Sequence, residues 1–467
     1  MNSGEASKLR TYRLIITRRS AAELLVAASR SGWALPEVAV RPDQRLAEQL
    51  TAHTRESRQL ETYCLFVPGL ANTCEAAPET GYAVMESLLQ NGEAPAGTSW
   101  MLSRVALRKG TLESHERVIV QSSLEEMERY TAEPNRGPFG RPGGIKELFQ
   151  WIQEHIGPLG LRVTGAFEQL NGSPTFSLMR IETSGPAVWF KATGEPNRHE
   201  LPVTVTLARL FPRFVPTLLG VHSAWNGWLS QEAPGATLDN FGEVSAWTRT
   251  AKTLAELQTA SVGKSRELLD SGCKDLRIER LIGEIDPFVA YMSQLMAEQR
   301  KEPPAILTNS ELGILGEELK EACSALESLG LPDTLGHIDV NPGNILVSPE
   351  ACVFLDWAEG CVANPFVTFA YLREHAERQR LEGGGAVEAI TAAYLEPWQA
   401  FFSSRALDRG MAVSSLVAVF AYAASGNAWR SREAPRNPAL APYLRSLTRR
   451  MHRDATGIRA RSEPCLR

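Results

Sequence analysis

The octapeptide His337-Ile338-Asp339-Val340-Asn341-Pro342-Gly343-Asn344, with Asp356-Trp357 following, constrains this chain more than any other stretch. Ile345-Leu346-Val347 and Cys352-Val353-Phe354-Leu355 are short apolar runs of strand type, and Ser348-Pro349-Glu350-Ala351 between them is turn chemistry. They predict an antiparallel hairpin, in which Asn344 before the first strand and Asp356 after the second become cross-strand neighbours. Two hard oxygen donors at the open end of a hairpin suit Mg²⁺, which takes few protein ligands and completes its shell with substrate phosphates. Asp339 lies on the same loop as Asn344 and faces the same site. The expectation is one carboxylate for a substrate hydroxyl, Asp339, and two metal ligands, Asn344 and Asp356. The plainer reading is a strand–turn–strand with a capping Asp and Asn. The Pro-Gly-Asn ending, the hairpin and the Asp-Trp spacing together favour the first.

Composition sets the frame. At 467 residues the chain is long enough for two or three domains with ample cores. A net charge of −5 advertises no nucleic-acid-binding surface. Seven cysteines without a Cys-x-x-Cys pair suggest neither zinc nor a disulfide framework. With Met1 to Arg10 polar and unlike an export signal, they point to a reducing cytoplasm. The longest apolar run, Met411 to Ala424, is 14 residues, too short to span a bilayer and better read as a buried helix. The Arg-rich end, Arg445 to Arg467, reads as a solvated or frayed tail.

The loop His-x-Asp-x-x-Pro-x-Asn followed by Asp-Trp resembles the aminoglycoside phosphotransferase and choline kinase branch of the protein-kinase-like fold. Ala358 follows the Trp, so the Gly of Asp-Phe-Gly is missing. The resemblance covers about residues 145 to 430. It implies an α+β, two-lobed kinase-like fold with a β-rich N-lobe over 145–232 and a helical C-lobe over 233–467.

Strands at Arg162 to Leu170 and Thr175 to Glu182 would flank a turn at Asn171-Gly172-Ser173-Pro174, which in such a lobe covers the ATP phosphates; it lacks Gly-x-Gly-x-x-Gly. Ala187 to Ala192 is an alternating strand carrying Lys191, which resembles the Val-Ala-Ile-Lys strand. A helix Glu should steady that lysine toward the phosphates, and Glu200 on the helix His199 to Phe211 is the candidate, at the helix start rather than its middle. Strands at Val215 to Val221 and Gly227 to Glu232 run into Ala233-Pro234-Gly235, a break suited to a hinge. Backbone groups of Gln231, Glu232 and Ala233 would then meet the adenine edge. His337 reads as structural, holding the loop by a hydrogen bond.

Ahead of this lie an accessory domain, 1–132, and a Pro/Gly-rich linker, 133–144. Strands at Tyr12 to Thr17 and Glu23 to Ala28, Trp33-Ala34-Leu35-Pro36, a helix at Asp43 to Glu56 and a strand at Thr62 to Val67 are similar to a Nudix hydrolase domain. Its clustered glutamates are missing: the helix offers only Glu48 and Glu56, about 12 Å apart along the axis. The domain is therefore read as a small α/β domain, either degenerate Nudix-like or of another α/β kind, serving docking or substrate selection without hydrolase activity.

The resulting expectation is an ATP- and Mg²⁺-dependent phosphotransferase acting on a small hydroxylated molecule, with neither nucleic acid nor membrane as partner. The rival is a catalytically silent nucleotide-binding module whose N-terminal domain performs the recognition. For a cationic acceptor, Asp239, Glu243, Glu359 and Glu374 are candidates by position.

Overall fold

The computed structural model describes residues 9–30, 32–68, 80–133, 137–379, 381, 384–426, 429 and 440–462. The chain forms two compact units: residues 1–201 with 217–232, and residues 202–216 with 233–467.

The first unit opens with β1 (Arg10–Arg18), β2 (Glu23–Ser29), β3 (Gly32–Ala34), β4 (Glu37–Val40), α1 (Leu46–Arg58), β5 (Thr62–Phe66), β6 (Thr80–Ser87), β7 (Thr98–Leu102), α2 (Ser103–Ala106) and α3 (Ser114–Ala132). The expected strands and helix are present, and β6, β7 and α3 are added to them. The strands make one mixed sheet in the order β3-β2-β1-β6-β5, with β4 on β1, β7 on β2, and β1 parallel to β6. Alternation along β1 serves both faces. Leu14 and Ile16 join a core with Leu50 of α1. Ile15 joins a second core, which continues far beyond residue 132.

That continuation comes from α4 (Gly144–Ile156), β8 (Val163–Gly172), β9 (Ser177–Thr183), β10 (Val188–Ala192), β11 (Leu218–His222) and β12 (Gly227–Gln231). The five strands form an antiparallel sheet, β11-β12-β10-β9-β8. Tyr63 and Val84 of the first sheet share one buried cluster with Leu148 and Ile152 of α4 and Met179, Ile181 and Phe190 of the second. The two sheets belong to one compact unit because they bury a common apolar layer. The expected linker follows suit. Residues 134–136 lie outside the described residues, but Pro138, Phe139 and Gly140 are buried and Gly144 opens α4. Here Pro and Gly permit close packing.

The second unit begins within α5 (Glu200–Leu210) and continues with β13 (Ala236–Thr237), α6 (Val244–Ala260), α7 (Ser265–Asp270), β14 (Lys274–Leu276), α8 (Ile278–Ala297), α9 (Asn309–Glu327) and β15 (Thr334–His337). Then come β16 (Ile345–Val347), β17 (Cys352–Phe354), β18 (Gly360–Ala363), α10 (Pro365–Gln379), α11 (Ala386–Leu395), α12 (Ser404–Ser425) and α13 (Leu440–Ser462). Two three-stranded sheets, β13-β16-β17 and β14-β18-β15, hold the loop between β15 and β16 from both ends. A lysine-bearing third strand in a five-stranded antiparallel sheet, the helix after it, and a helical unit carrying loop and hairpin make up the α+β, protein-kinase-like architecture.

Two expectations about the C-terminal region change. The apolar run extends into the 22-residue α12, long and apolar enough by composition to cross a membrane, yet 61% of its most apolar window is buried inside the protein. The Arg-rich tail is helix α13, packed rather than frayed. Leu444, Thr448, Met451 and Ala455 bury a stripe three to four residues apart, while Arg445 donates to the Leu295 carbonyl and Arg449 to that of Ala305. Arg445, Arg449 and Arg450 are half-buried and bridge to neighbouring chain, and residues 463–467 of the Arg-rich end lie outside the described residues.

Candidate active site

In the second unit, β15 delivers His337 into the core and ends there. The His337 amide donates to Thr368 Oγ1 at 2.9 Å, and its Nε2 donates to the Leu355 carbonyl at 3.0 Å. The ring packs against Trp357, and burial holds its pKa below the usual histidine value, so it stays neutral. The expected structural role of His337 is thus given atoms: it ties the loop's start to the strand end beside Asp356.

The hairpin forms as expected. Ile345 pairs with Phe354, Val347 with Cys352, and the Leu355 amide donates to the Asn344 carbonyl at 2.8 Å. Asn341 caps the turn by accepting from the Gly343 amide at 3.0 Å, which brings Asn344 back toward the loop. Asn344 Nδ2 donates to the Asp339 carbonyl at 3.2 Å and approaches Asp339 Oδ2 at 3.5 Å. Asp356 closes the hairpin in the left-handed region, φ 60°, a conformation Asp tolerates better than most residues.

Asp339 reaches solvent, yet the protein around its carboxyl removes enough water to raise its pKa above the ordinary aspartate value. The carboxylates of Asp356 and Glu359 push in the same direction. Among the described residues no group of three or more His, Cys, Asp or Glu stands close enough to hold a metal ion, so a Mg²⁺ here would rest on few protein oxygens and on its substrate.

Sequence reasoning missed Lys274 and His375. Lys274 on β14 forms an ion pair with Glu359, and β14 is too short to announce itself. His375 of α10 is part-buried and interacts with the Asp339 charge. Of the candidates for a cationic acceptor, Glu374 is taken up by Arg378 and Arg450 and Glu359 by Lys274, while Glu243 stands at the N-cap of α6. Asp239 lies nearest the loop, 3.9 Å from where a side chain on Gly343 would begin.

In the first unit, β10 alternates as expected: Val188, Phe190 and Ala192 are buried and Lys191 faces the other way. Lys191 Nζ meets Glu200 Oε1 at 2.5 Å, with side-chain exposures of 14% and 2%. Placement at the head of α5 does not prevent the pair. The helix N-terminus itself favours a carboxylate there.

Four residues expected at the nucleotide, Gly172, Ser173, Gln231 and Glu232, also meet partners within the protein. Asn171 and Gly172 belong to β8 rather than the turn, because β8 carries a bulge between Gln169 and Asn171 and then pairs Gly172 with Ser177. Ser173 Oγ accepts from the amides of Thr175 at 3.3 Å and Phe176 at 2.9 Å, so its hydroxyl builds the turn. The Gln231 amide donates to Thr217 and the Glu232 amide to Ala187, both sheet contacts. The Glu232 side chain is held by Arg180 and by Trp189 Nε1.

Residues 199–407 match the sequence model of APH, the phosphotransferase enzyme family. Among solved structures, the chain is similar to macrolide 2'-phosphotransferase MphH from Brachybacterium faecium, at 15% identity over 65% of this chain and 98% of that one, with a TM-score of 0.44. It is also similar to choline kinase from Cryptosporidium parvum Iowa II, at 10% identity over 68% and 97%, TM-score 0.49. A choline/ethanolamine kinase family protein from Mesorhizobium loti gives 16% over 64% and 94%, TM-score 0.43. No curated protein matches the chain.

Proposed function

We propose that the chain transfers the γ-phosphoryl group of ATP to a hydroxyl of a small molecule. The observation that carries this is the end of the β16–β17 hairpin, where Asn344 is hydrogen-bonded to Asp339 and the charge of Asp356 reaches the same carboxyl. Asp339 orients the acceptor hydroxyl and accepts its proton late, since phosphoryl transfer passes through a loose transition state and depends mainly on positioning. Asn344 and Asp356 would hold Mg²⁺, which when bound neutralises charge on phosphate oxygens. Lys191, steadied by Glu200, locates the phosphates. His337 keeps the loop in register and takes no part in proton transfer.

The test is ATP consumption by the purified chain against amino alcohols, sugars and aminoglycosides. Asp339→Asn should retain nucleotide affinity and lower turnover by about 10² or more, the range for loss of a positioned base. Near-wild-type turnover in that variant, or no acceptor-dependent ATP consumption by the wild type, overturns the reading.

A further inference from the structure

The side chain of Gln169, in β8, is buried and bridges to the N-terminal sheet. Its Oε1 accepts from the Cys64 amide at 2.7 Å and its Nε2 donates to the Cys64 carbonyl at 2.7 Å. Cys64 lies on β5, the last strand in the sheet order, opposite Met85 of β6. An edge strand presents both main-chain groups of alternate residues to its open side. One glutamine amide satisfies both at once, doing at this point what another strand would do.

The same strand residue is met again three positions later. A Cβ on Gly172 would stand 2.6 Å from the Cys64 carbonyl oxygen and 2.5 Å from Gln169 Nε2. Glycine at 172 therefore permits the tip of β8 to lie directly on β5, and its φ needs no glycine. On the turn's other side, a Cβ on Gly140 would stand 2.5 Å from Pro174 Cα, so Pro174 rests on the backbone of the segment that joins α3 to α4. That segment is itself pinned, because the Gly143 amide donates to both oxygens of Glu86, a buried residue of β6. The β8–β9 turn is thus seated on the N-terminal sheet from two directions.

We propose that Gln169 is a positioning residue for the nucleotide, and that the N-terminal domain is the fixed support of the turn over its phosphates. The proposal rests on the phosphotransferase reading above. A turn without the glycine pattern of a mobile phosphate-covering loop obtains its placement from outside the kinase-like sheet, through Gln169 and Gly172 on Cys64. The N-terminal domain thereby contributes to ATP affinity without touching ATP.

The test uses the full chain, with Mg²⁺·ATP affinity from calorimetry and KM for ATP and for the acceptor from turnover. Gln169→Met keeps length and apolar bulk but loses both hydrogen bonds. It should weaken ATP binding and raise KM for ATP roughly tenfold, the scale of two net hydrogen bonds, while KM for the acceptor stays. Gly172→Ala, which keeps the Gln169 side chain in the sequence but drives a methyl against its amide and the Cys64 carbonyl and so lifts the strand tip, should move KM for ATP the same way by several-fold, and it answers the question should Gln169→Met not fold. Ser103→Ala, which removes a hydroxyl bond to the Ala21 carbonyl near β2 and β7, is the control for general destabilisation. It should lower the melting temperature without moving KM for ATP. Unchanged ATP affinity in folded Gln169→Met or Gly172→Ala overturns the proposal alone, as does an equal shift in Ser103→Ala. A wild type that binds no nucleotide overturns both this proposal and the reading on which it rests.

Discussion

The catalytic loop and the β8–β9 turn are both short polar connections next to strands, and they are held in opposite ways. From His337 to Trp357 most side-chain hydrogen bonds close within the stretch: Asn341 on Gly343, Asn344 on Asp339, His337 on Leu355, the Trp357 indole on Phe354, with Thr368 and Arg249 bonding to it from outside. The turn borrows its anchors from distant chain, with Gln169 reaching Cys64, 105 positions away. A self-contained loop holds its geometry wherever its flanking strands pair. A borrowed one holds it only when another domain is folded beside it. Chemistry that tolerates little displacement belongs on the first kind, and control by a neighbouring domain is available only to the second.

The largest effect should come from the self-contained loop. Asp356→Ala removes a charged oxygen from the hairpin end and leaves Asn344, a neutral and weaker ligand. Mg²⁺-dependent nucleotide binding should fall by about 10² or more, with the hairpin's backbone pairing of Ile345 with Phe354 and Val347 with Cys352 left in place. Unchanged Mg²⁺·ATP affinity by calorimetry removes Asp356 from the metal site. A large fall in melting temperature would show that the loop is less self-contained than its contacts indicate.

A smaller effect tests the borrowed support. Glu86→Ala removes both acceptor oxygens from the Gly143 amide, which is exposed enough to turn to water, and should cost about 1 kcal/mol of stability. Glu86→Gln should cost much less. Burial already lifts the Glu86 carboxyl above the usual glutamate range, so its charge is not what the site requires, and an amide oxygen can still accept. Chemical denaturation of the three proteins separates them. Equal losses in Ala and Gln would mean that charge, rather than acceptance from Gly143, matters.

The same contrast explains what could be read from the sequence. The hairpin, its Asn and Asp, and the strand carrying Lys191 are patterns of fewer than twenty-five residues with turn residues between apolar runs, and alternation announces them. Glu200 was found although its position in the helix was unusual, because it sits on the helix directly following the lysine strand. Lys274 was hidden by a strand of three residues, and His375 by its place on a helix with no local mark of function. Gly172 and Ser173 read as part of a turn, but turn chemistry does not announce the neighbouring sheet on which that turn is seated. Arginine density in α13 masked the 444, 448, 451, 455 stripe that buries it. In each case the missing information was which distant surface the residue would meet.

The smallest effect concerns a cross-strand contact intermediate between the two kinds. Arg180 on β9 reaches over β10 to Glu232 just past β12, with Nε on Oε1 at 2.6 Å and Nη2 on Oε2 at 3.1 Å. The bidentate Arg180 contact, aided by the Trp189 indole, holds the Glu232 carboxyl below the usual glutamate range. A carboxyl whose folded pKa is depressed stabilises the fold above its unfolded pKa, and that contribution is lost as pH falls through the folded value. Both side chains are partly solvated, with exposures of 23% and 33%, so the charge contribution should be about 1 kcal/mol or less. Glu232→Gln preserves an acceptor for Arg180 and Trp189 and removes only the charge. Wild type should therefore be the more stable protein at pH 7, and the two should converge below pH ~4, under the unfolded glutamate pKa. A difference that persists in acid would assign the contact to packing. One that vanishes in high salt at pH 7 would confirm charge as its origin and mark this edge of the sheet as held by solvated electrostatics, unlike the buried amide bridge of Gln169.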